Sequence, residues 1–217
     1  MKVTTKAAAA KRVPRAGRPS TALITRKTAV TAALQLIDEK GLEALSLQSV
    51  AQALGVSAPS LYHHFRNKEE LLVLIARRLL SEIGRDQAEW STDWEERMIE
   101  LSLATRRVMQ RHPKAAGLVL RFFPRELTLQ AYEDALADCP YPPAAGMIAN
   151  ELIEHATYGA SLFAAAAEAR QISPMPPFER DAYPNLSRSM EAAPQDPEVR
   201  FVEGIRTILA GLRARFG

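Results

Sequence analysis

The sequence predicts an all-α fold. Apolar residues recur three or four positions apart along most of the chain, as in residues 29–37, and this spacing is typical of a helix with one buried face. Prolines and glycines separate these stretches and mark the ends of individual helices. No segment alternates apolar and polar residues as a half-buried strand would, and the sequence contains no glycine-rich phosphate loop.

The composition is that of a globular chain without a membrane span. Of the 217 residues, 47% are hydrophobic and 24% are charged, which is enough apolar material for a sizeable core. No apolar run approaches the roughly 20 residues that cross a bilayer, and the basic N-terminus lacks the apolar stretch of a secretory signal. The single cysteine, Cys139, cannot form an internal disulfide. We therefore expect a cytoplasmic protein with no membrane partner.

Positive charge is concentrated at the N-terminus. Eight of the 28 lysines and arginines lie in residues 1–37, whereas all 25 acidic residues come later, beginning at Asp38. A basic end on an acidic remainder favours contact with a polyanion through that end alone. A solubilising tail would produce the same asymmetry, so the charge pattern leaves both interpretations open.

The N-terminal third is predicted to comprise an arm and four helices. Residues 1–24 are expected to form a disordered basic arm. The first helix begins near Thr25 and ends at Gly41, because glycine accommodates the backbone that follows a helix C-cap. The fourth helix begins at Asn67, which has the spacing of a capping box with Glu70. The second, third and fourth helices are predicted at 46–54, 57–64 and 67–90.

The rest of the chain is also predicted to be helical, with breaks at prolines. The long helix at 144–171 is rich in alanine, and the proline-rich segment at 172–197 is expected to be a loop with one short helix. The last helix carries a broad apolar stripe that includes Ile205 and Leu209. The predicted helices are 93–111, 114–122, 125–138, 144–171, 179–190 and 197–215.

Residues 46–65 combine the features that a helix-turn-helix requires. Two short helices that cross steeply need a small residue at the crossing, which Ala51 supplies, and the tight turn needs a residue with positive φ, which Gly55 supplies. Ser46 and Ser57 are suited to cap the two helices. The apolar wedge that would fix the crossing angle consists of Val50, Leu54, Val56, Leu61 and Phe65.

The expected outer face of the second of these helices suits a nucleic-acid groove. Its residues are small or hydrogen-bonding and none is acidic, which fits a helix that enters a major groove lined by phosphates. Pro59 is tolerated because it falls in the first helical turn. The outward residues are Ala58, Ser60, Tyr62, His63 and His64. An αα-hairpin with the same packing and no nucleic acid is the alternative.

The span from Ala29 to Leu74 resembles the DNA-binding domain of TetR-type transcription regulators. The motifs that carry the resemblance are the Ala-Ala-Leu-x-Leu-Ile helix ending in Lys40-Gly41, then Leu45-Ser46-Leu47-Gln48, Val50-Ala51-x-x-Leu54-Gly55-Val56-Ser57, Ser60-Leu61-Tyr62-His63-His64-Phe65 and Asn67-Lys68-Glu69-Glu70-Leu71-Leu72. The resemblance implies a helix-turn-helix DNA-binding domain at 25–70 and a helical ligand-binding and dimerisation domain at 71–217.

The same resemblance implies roles for individual residues. Tyr62 and Lys68 would hold phosphates, and Ser46 would bind a phosphate through its side chain or the nearby helix amides. Gln48 would read adenine. The residues expected at base edges or thymine methyl groups are Gln48, Ala58, Pro59, Ser60 and His63, with Ser57 and His64 beside them on the same face.

Arg15 and Arg18 belong to the N-terminal arm. They flank Gly17 in a segment that is similar to the minor-groove arms of other DNA-binding proteins, so they would add contacts that prefer A·T pairs. Non-specific attraction between a disordered basic arm and DNA explains these two residues equally well.

The C-terminal helices resemble a dimer interface. Residues 141–170 and 201–212 are similar to the two helices that form a four-helix interface between subunits in the tetracycline-repressor branch. Gly159 and the alanines around it would let helices pack closely. We expect a homodimer through these helices, because a two-headed repressor reads two half-sites. An ordinary intrachain core is the alternative.

No metal or cofactor is predicted. Members of that branch that bind a magnesium–antibiotic chelate carry a metal-ligating histidine, and its counterpart here is Val119, which cannot ligate a metal. The four histidines also lack the spacing of metal ligands. Tetracycline sensing is therefore disfavoured.

A pocket for a small-molecule effector is implied by the resemblance. Aromatic and methionine side chains with a few polar groups are typical of such cavities, although in a helical domain each such residue more often belongs to the core. The candidate lining residues are Trp90, Trp94, Met98, Phe122, Phe123, Met147, Asn150, His155, Tyr158 and Phe163.

Together these features predict a ligand-responsive repressor. It would bind a palindromic operator in double-stranded DNA and release it when a mostly apolar effector binds. One alternative is a DNA-binding regulator without a small-molecule effector, and another is an enzyme on a helical scaffold. An enzyme is not predicted, since Glu151 and Glu154, one turn apart on a helix, are interpreted as a solvated or salt-bridged face.

Overall fold

The computed structural model describes residues 24–85 and 89–217, and every regular element within them is a helix. The prediction of an all-α fold is confirmed. The helices are α1 (Arg26–Lys40), α2 (Leu47–Ala53), α3 (Ala58–Tyr62), α4 (Lys68–Leu80), α5 (Trp94–Arg111), α6 (Gly117–Arg121), α7 (Arg125–Ala137), α8 (Pro143–Ala169), α9 (Pro184–Ala192) and α10 (Pro197–Phe216), with a short 3₁₀ turn at Leu42–Ala44. In the described part of the chain, no helix has the length and apolar character needed to cross a membrane.

Apolar side chains form two buried clusters. The first joins α1 through α4 to the end of α5 and to α6, with Leu61, Leu71 and Ile75 completely shielded from solvent. The second joins α5, α8 and α10 around Ile205 and Leu209, each 1% exposed. Because α4 belongs to the first cluster and also contacts α5 and α6, it links the N-terminal helices to the larger C-terminal part.

Helix α4 ends ten residues earlier than the sequence suggested. After Leu80 the backbone tightens into turns, in which the Ile83 amide donates to the Leu80 carbonyl at 3.1 Å. Gly84 then takes a positive φ of 72°, a conformation that glycine adopts without steric cost. The indole of Trp90 lies so close that a Cβ at Gly84 would overlap its Cζ2. The predicted continuation to Trp90 was therefore wrong, because residue 84 reverses the chain and Trp90 packs back over it.

The apolar stripe of α10 packs into the core of its own chain. Ile205, Leu209 and Leu212 are all buried in the second cluster against α5 and α8. The expectation that this whole stripe faces a second subunit was wrong, since a helix packed on one side by its own chain cannot offer the same side to a partner. The apolar residues that stay exposed nearby are Ile148, Leu152 and Phe163 on α8 and Val199 on α10.

Two of the shorter helices also differ from their predicted bounds. Helix α6 covers Gly117–Arg121 only, because residues 113–116 form turns, and α9 begins at Pro184 rather than at 179. Proline is well suited to the first turn of a helix, where its missing amide proton is not needed.

A half-buried charge network joins the N-terminal helices to the end of α5. Nδ1 of His112 lies 2.7 Å from Oδ2 of Asp38, at the end of α1, and its Nε2 lies 3.4 Å from Oε2 of Glu82. The ammonium of Lys114 donates to the carbonyl oxygens of Asp38 and Glu39 at 2.9 Å. The hydrogen bond to Asp38 raises the pKa of His112 above 6.5, and this effect outweighs burial, which acts in the opposite direction.

The raised pKa of His112 predicts a pH-dependent stability. A histidine whose pKa is higher in the folded state stabilises the fold fully below its unfolded pKa, and this contribution is lost as the pH rises through the folded pKa. We expect the free energy of unfolding to fall as the pH rises from about 6.5 through the raised folded-state pKa of His112 in the parent protein, and to fall less in His112→Gln. Urea unfolding across this range measures the difference. Parallel curves for the two proteins would contradict the coupling of His112 to Asp38 and Glu82.

Candidate nucleic-acid interface and effector cavity

The first helix of the helix-turn-helix is capped by a reciprocal pair of serines. The Ser46 hydroxyl accepts from the Ser49 amide at 3.0 Å, and the Ser49 hydroxyl accepts from the Ser46 amide at 2.8 Å. The predicted cap at Ser46 is confirmed, with Ser49 as a second member that the sequence analysis missed. Gln48 follows in the first turn, and its side chain is exposed.

The turn between α2 and α3 depends on Gly55. Its φ is 66°, as predicted, and the Val56 amide donates back to the Ala51 carbonyl at 3.0 Å while the Gly55 amide donates to the Gln52 carbonyl at 3.1 Å. These two bonds form the Schellman arrangement that closes a helix C-terminus. Ala51 is 2% exposed at the crossing of the two helices, where a larger side chain would separate them.

Helix α3 presents a mixture of exposed and half-buried residues. Tyr62 is 61% exposed, and Pro59 and His63 are also exposed. Ala58, Ser60 and His64 are half-buried, and Ala58 packs against the first cluster. Ser57 occupies the N-cap position without a side-chain capping bond, because its hydroxyl lies 2.8 Å from the Ser60 hydroxyl instead. The outer face is thus narrower than the sequence suggested.

Arg26 ties the end of α3 to the start of α4, a role that the sequence analysis missed. Its Nε donates to the His64 carbonyl at 2.9 Å, its guanidinium forms an ion pair with Glu70, and it lies 5.6 Å above the Phe65 ring. The Asn67 side chain accepts from the Glu70 amide at 2.9 Å, as predicted. The Glu70 carboxylate, however, accepts from the Arg66 amide at 2.8 Å rather than from Asn67.

The amino end of α4 carries positive charge beside α3. Lys68 is the first residue of α4 and is exposed. The hydrogen bond from the Arg66 amide lowers the pKa of the Glu70 carboxyl group, with the charge of Arg26 acting in the same direction. Arg15 and Arg18, the two predicted arm residues, lie outside the described residues.

A cavity of about 350 Å³ lies between the end of α4, α5, α7 and α8. This volume is within the usual range for small-molecule sites. The lining is mostly apolar and consists of Leu80, Ile83, Met98, Leu101, Ser102, Thr105, Phe123, Leu127, Ala131, Tyr132, Ala135, Asn150, Ile153, Glu154, Thr157 and Tyr158. Leu80 is the last residue of α4, so the cavity touches the same helix that begins beside α3.

Four of the ten predicted effector residues line this cavity. They are Met98, Phe123, Asn150 and Tyr158. The rings of Phe123 and Tyr158 meet edge to face with their centroids 6.4 Å apart. Burial raises the pKa of the Tyr158 hydroxyl to about 12, with the charge of Glu154 as a second cause.

The other six predicted effector residues lie outside the cavity. Trp94 is buried in the second cluster, where its indole nitrogen donates to the Ala135 carbonyl at 2.6 Å. Trp90 covers Gly84, and Phe122 packs on the first cluster beneath Arg121. The exposed residues of this group are Met147, His155 and Phe163 on α8. Aromatic and methionine side chains occur in cores, in cavities and at surfaces, so residue type alone could not separate these sites.

Glu154 is the most informative cavity residue that the sequence analysis missed. Its carboxylate accepts a hydrogen bond from the Tyr132 hydroxyl, and this bond raises the pKa of Tyr132 to about 12. The interpretation of Glu151 and Glu154 as one solvated or salt-bridged face was wrong for Glu154. That residue is half-buried in the cavity wall, whereas Glu151 is exposed.

Val119, the counterpart of the metal-ligating histidine in the chelate-binding repressors, lies away from the cavity. This residue is completely buried in the first cluster and does not line the cavity. Across residues 24–85 and 89–217, no three histidine, cysteine or acidic side chains are grouped as metal ligands would be.

Comparisons with known proteins match this architecture. Residues 29–75 match the family described as "Bacterial regulatory proteins, tetR family". The tetracycline repressor protein class E of Escherichia coli is 26% identical over 194 residues, which cover 86% of this chain and 89% of that protein. The crystal structure of a possible TetR family transcriptional regulator from Streptomyces coelicolor A3(2) superposes with a TM-score of 0.72 at 26% identity, covering 88% of this chain and 99% of the other. This chain belongs to the TetR family.

A ligand-bound member of the TetR family is also similar over most of its length. The structure of Streptomyces coelicolor ActR in complex with actinorhodin has a TM-score of 0.67 and 25% identity, and the match covers 90% of this chain and 98% of ActR. As a TetR-family repressor, this chain is a transcription regulator with a DNA-binding helix-turn-helix. Regulators of the family bind DNA and small molecules and act as dimers.

Proposed function

We propose that this TetR-family repressor binds a palindromic operator as a homodimer and releases it when a small, mostly apolar effector fills the cavity. The DNA-binding domain would comprise residues 25–70, and the ligand-binding and dimerisation domain residues 71–217. The single observation that supports this proposal best is the position of α4. It begins at Lys68 beside α3 and ends at Leu80 in the cavity wall.

Helix α4 would transmit the effect of effector binding to the DNA-binding helices. Arg26 and Glu70 fix the start of α4 to the end of α3, so a tilt of α4 would carry the recognition helix with it. In a dimer, such a tilt changes the distance between the two recognition helices, which must match successive major grooves. Linkage then requires that effector and operator weaken each other's binding by the same factor.

The proposed DNA contacts divide into two classes. The exposed Tyr62 and Lys68 would hold phosphates, and Ser46 would present its helix N-terminus to another. Gln48, Pro59 and His63, which are exposed on the same two helices, would face base edges. The half-buried residues Ala58, Ser60 and His64 would contribute less than expected from the sequence, with Ser57 exposed beside them.

Variants of these two classes should behave differently. Lys68→Ala and Tyr62→Phe are expected to weaken binding to all operators alike. Lys68→Ala should also reduce the salt slope, which is the slope of log binding constant against log salt concentration, by about 1 in magnitude. Gln48→Ala and His63→Ala are each expected to relax the preference for one base at a single operator position. Each should cost about 1–3 kcal/mol of binding free energy to the preferred operator. Selection of an operator from random duplexes, followed by salt-dependent fluorescence anisotropy, measures both effects.

A charge-matched control separates a local contact from general electrostatics. Arg188→Ala removes one exposed cation from α9, outside the proposed interface, and should leave affinity almost unchanged. If Lys68→Ala altered base preference and left the salt slope intact, its assignment to phosphate would be wrong. If effector candidates never released the operator, a regulator relieved by a protein partner would be favoured.

A further inference from the structure

Glu154 is the one acidic side chain in the described lining of the cavity. Among the lining residues whose side chains the structure describes, none is a lysine, arginine or histidine. Among the side chains that the structure describes, none forms an ion pair with Glu154, and the one hydrogen bond to its carboxylate is the bond that Oε2 accepts from Tyr132. The second carboxylate oxygen, Oε1, is therefore available to a donor inside the cavity.

A second, independent feature of the cavity is also unsatisfied. Thr157 lies three residues after Glu154 on the same face of α8 and is 4% exposed. Its hydroxyl oxygen is buried and has no hydrogen-bond partner within the described residues. Buried polar atoms without partners are uncommon in native proteins, so each one calls for an explanation such as a ligand or a water molecule.

From these two features we infer that the effector is an apolar organic cation whose positively charged nitrogen lies between Glu154 and Thr157. This inference rests on the proposed effector role of the cavity and narrows the chemical class of the effector. An ammonium N–H would donate to Glu154 Oε1 and to the Thr157 hydroxyl. The apolar remainder of the ligand would contact the Met98, Phe123 and Ile153 side chains that line the cavity.

The surroundings of Glu154 strengthen its attraction for a cation and disfavour an anion. A charge pair in a mostly apolar cavity is screened less than one in water, so an opposite charge gains more there and a like charge is repelled more strongly. The rings of Phe123 and Tyr158, which meet at 85°, also offer a π face to a nearby cation. A bound cation would also compensate the charge of this half-buried carboxylate, which has no basic partner among the described side chains.

The test uses three probes of nearly equal shape and different charge. They are 9-(aminomethyl)anthracene as the cation, 9-anthracenemethanol as the neutral isostere and anthracene-9-carboxylate as the anion. Anthracene fluorescence reports binding to the full-length protein. We expect the amine to bind at least about 30-fold more tightly than the alcohol, in line with the loss that follows removal of one member of a buried charge pair. The carboxylate should bind most weakly.

Two variants locate the charge that causes this preference. Glu154→Gln keeps the shape and an acceptor for Tyr132 but removes the charge, so it should bring the amine down to the affinity of the alcohol. Glu151→Gln makes the same change one turn earlier on α8, at an exposed position outside the cavity, and should keep the preference. Thermal unfolding of each variant confirms that the fold is intact.

Each possible result decides the inference. Tighter binding of the alcohol or carboxylate, a preference for the amine that survives in Glu154→Gln, or no binding of any probe would overturn the cation assignment. Release of the selected operator is measured separately with the same probes. If the amine binds through Glu154 and the operator stays bound, the cation site stands and the proposed effector role fails.

Discussion

Replacing Phe65 with alanine is expected to lower the free energy of unfolding by about 3–5 kcal/mol, because it empties the space of a large buried ring. Phe65 is 1% exposed and packs in the first cluster between α3 and α4. A loss of this size is a large fraction of the roughly 5–15 kcal/mol that stabilises an ordinary domain. Operator binding should fall with it, since the ring fixes α3 beneath the Arg26 guanidinium.

The substitution Phe65→Leu provides the matched control. It keeps the site apolar and most of its volume, so it should cost less than about 1.5 kcal/mol if the neighbours can repack. Urea unfolding followed by circular dichroism gives both values. If the alanine variant lost less than about 1 kcal/mol, well below the cost of a large truncation in a core, α3 would be held by its polar contacts instead.

The N-terminal helices could be predicted from the sequence because their boundaries are set by local interactions. Ser46 caps α2 and Gly55 supplies the positive φ of the turn, both through bonds to residues fewer than six positions away. The end of α4 could not be predicted in the same way. Gly84 acts there together with the ring of Trp90 that packs over it, and this contact depends on the path of the intervening chain.

The cavity shows a different limit of sequence reasoning. Helical periodicity indicates that a residue faces the interior, but it does not distinguish a core, a cavity and a subunit interface. Met98 and Trp94, one turn apart on α5, are both buried in the second cluster, yet of the two only Met98 lines the cavity. The role of Glu154 depends on Tyr132, which lies 22 positions away on another helix, so no local pattern could identify it.

The exposed apolar side of α8 is the surface that we propose for dimerisation. Ile148, Leu152 and Phe163 are 44%, 45% and 82% exposed, and at about 100° per residue they fall within about 60° of one another around the helix. Large apolar residues that share one exposed helix face favour an interface. Helix α10 packs beside α8 and has an exposed apolar residue of its own, Val199.

Placing a carboxylate at the most exposed residue of this surface should separate the subunits. Phe163→Glu is expected to give a monomer, because in a twofold-symmetric interface the change occurs on both sides and each charge is desolvated. The isolated chain should stay folded, since the side chain at this position is 82% exposed there. This distinguishes it from a change at Ile205, which is 1% exposed and would disrupt the core of the chain itself.

Loss of the dimer should weaken operator binding on the order of 100-fold or more, because the second head would no longer bind at high effective concentration. Light scattering after size-exclusion chromatography gives the oligomeric state, and fluorescence anisotropy gives the affinity for the selected operator. Leu129→Glu introduces the same charge at a residue of α7 that is 78% exposed, and it should leave both measurements unchanged. A Phe163→Glu protein that stays dimeric and binds the operator as tightly as the parent would move the interface away from α8, and the apolar stripe from Ile148 to Phe163 would then need another partner.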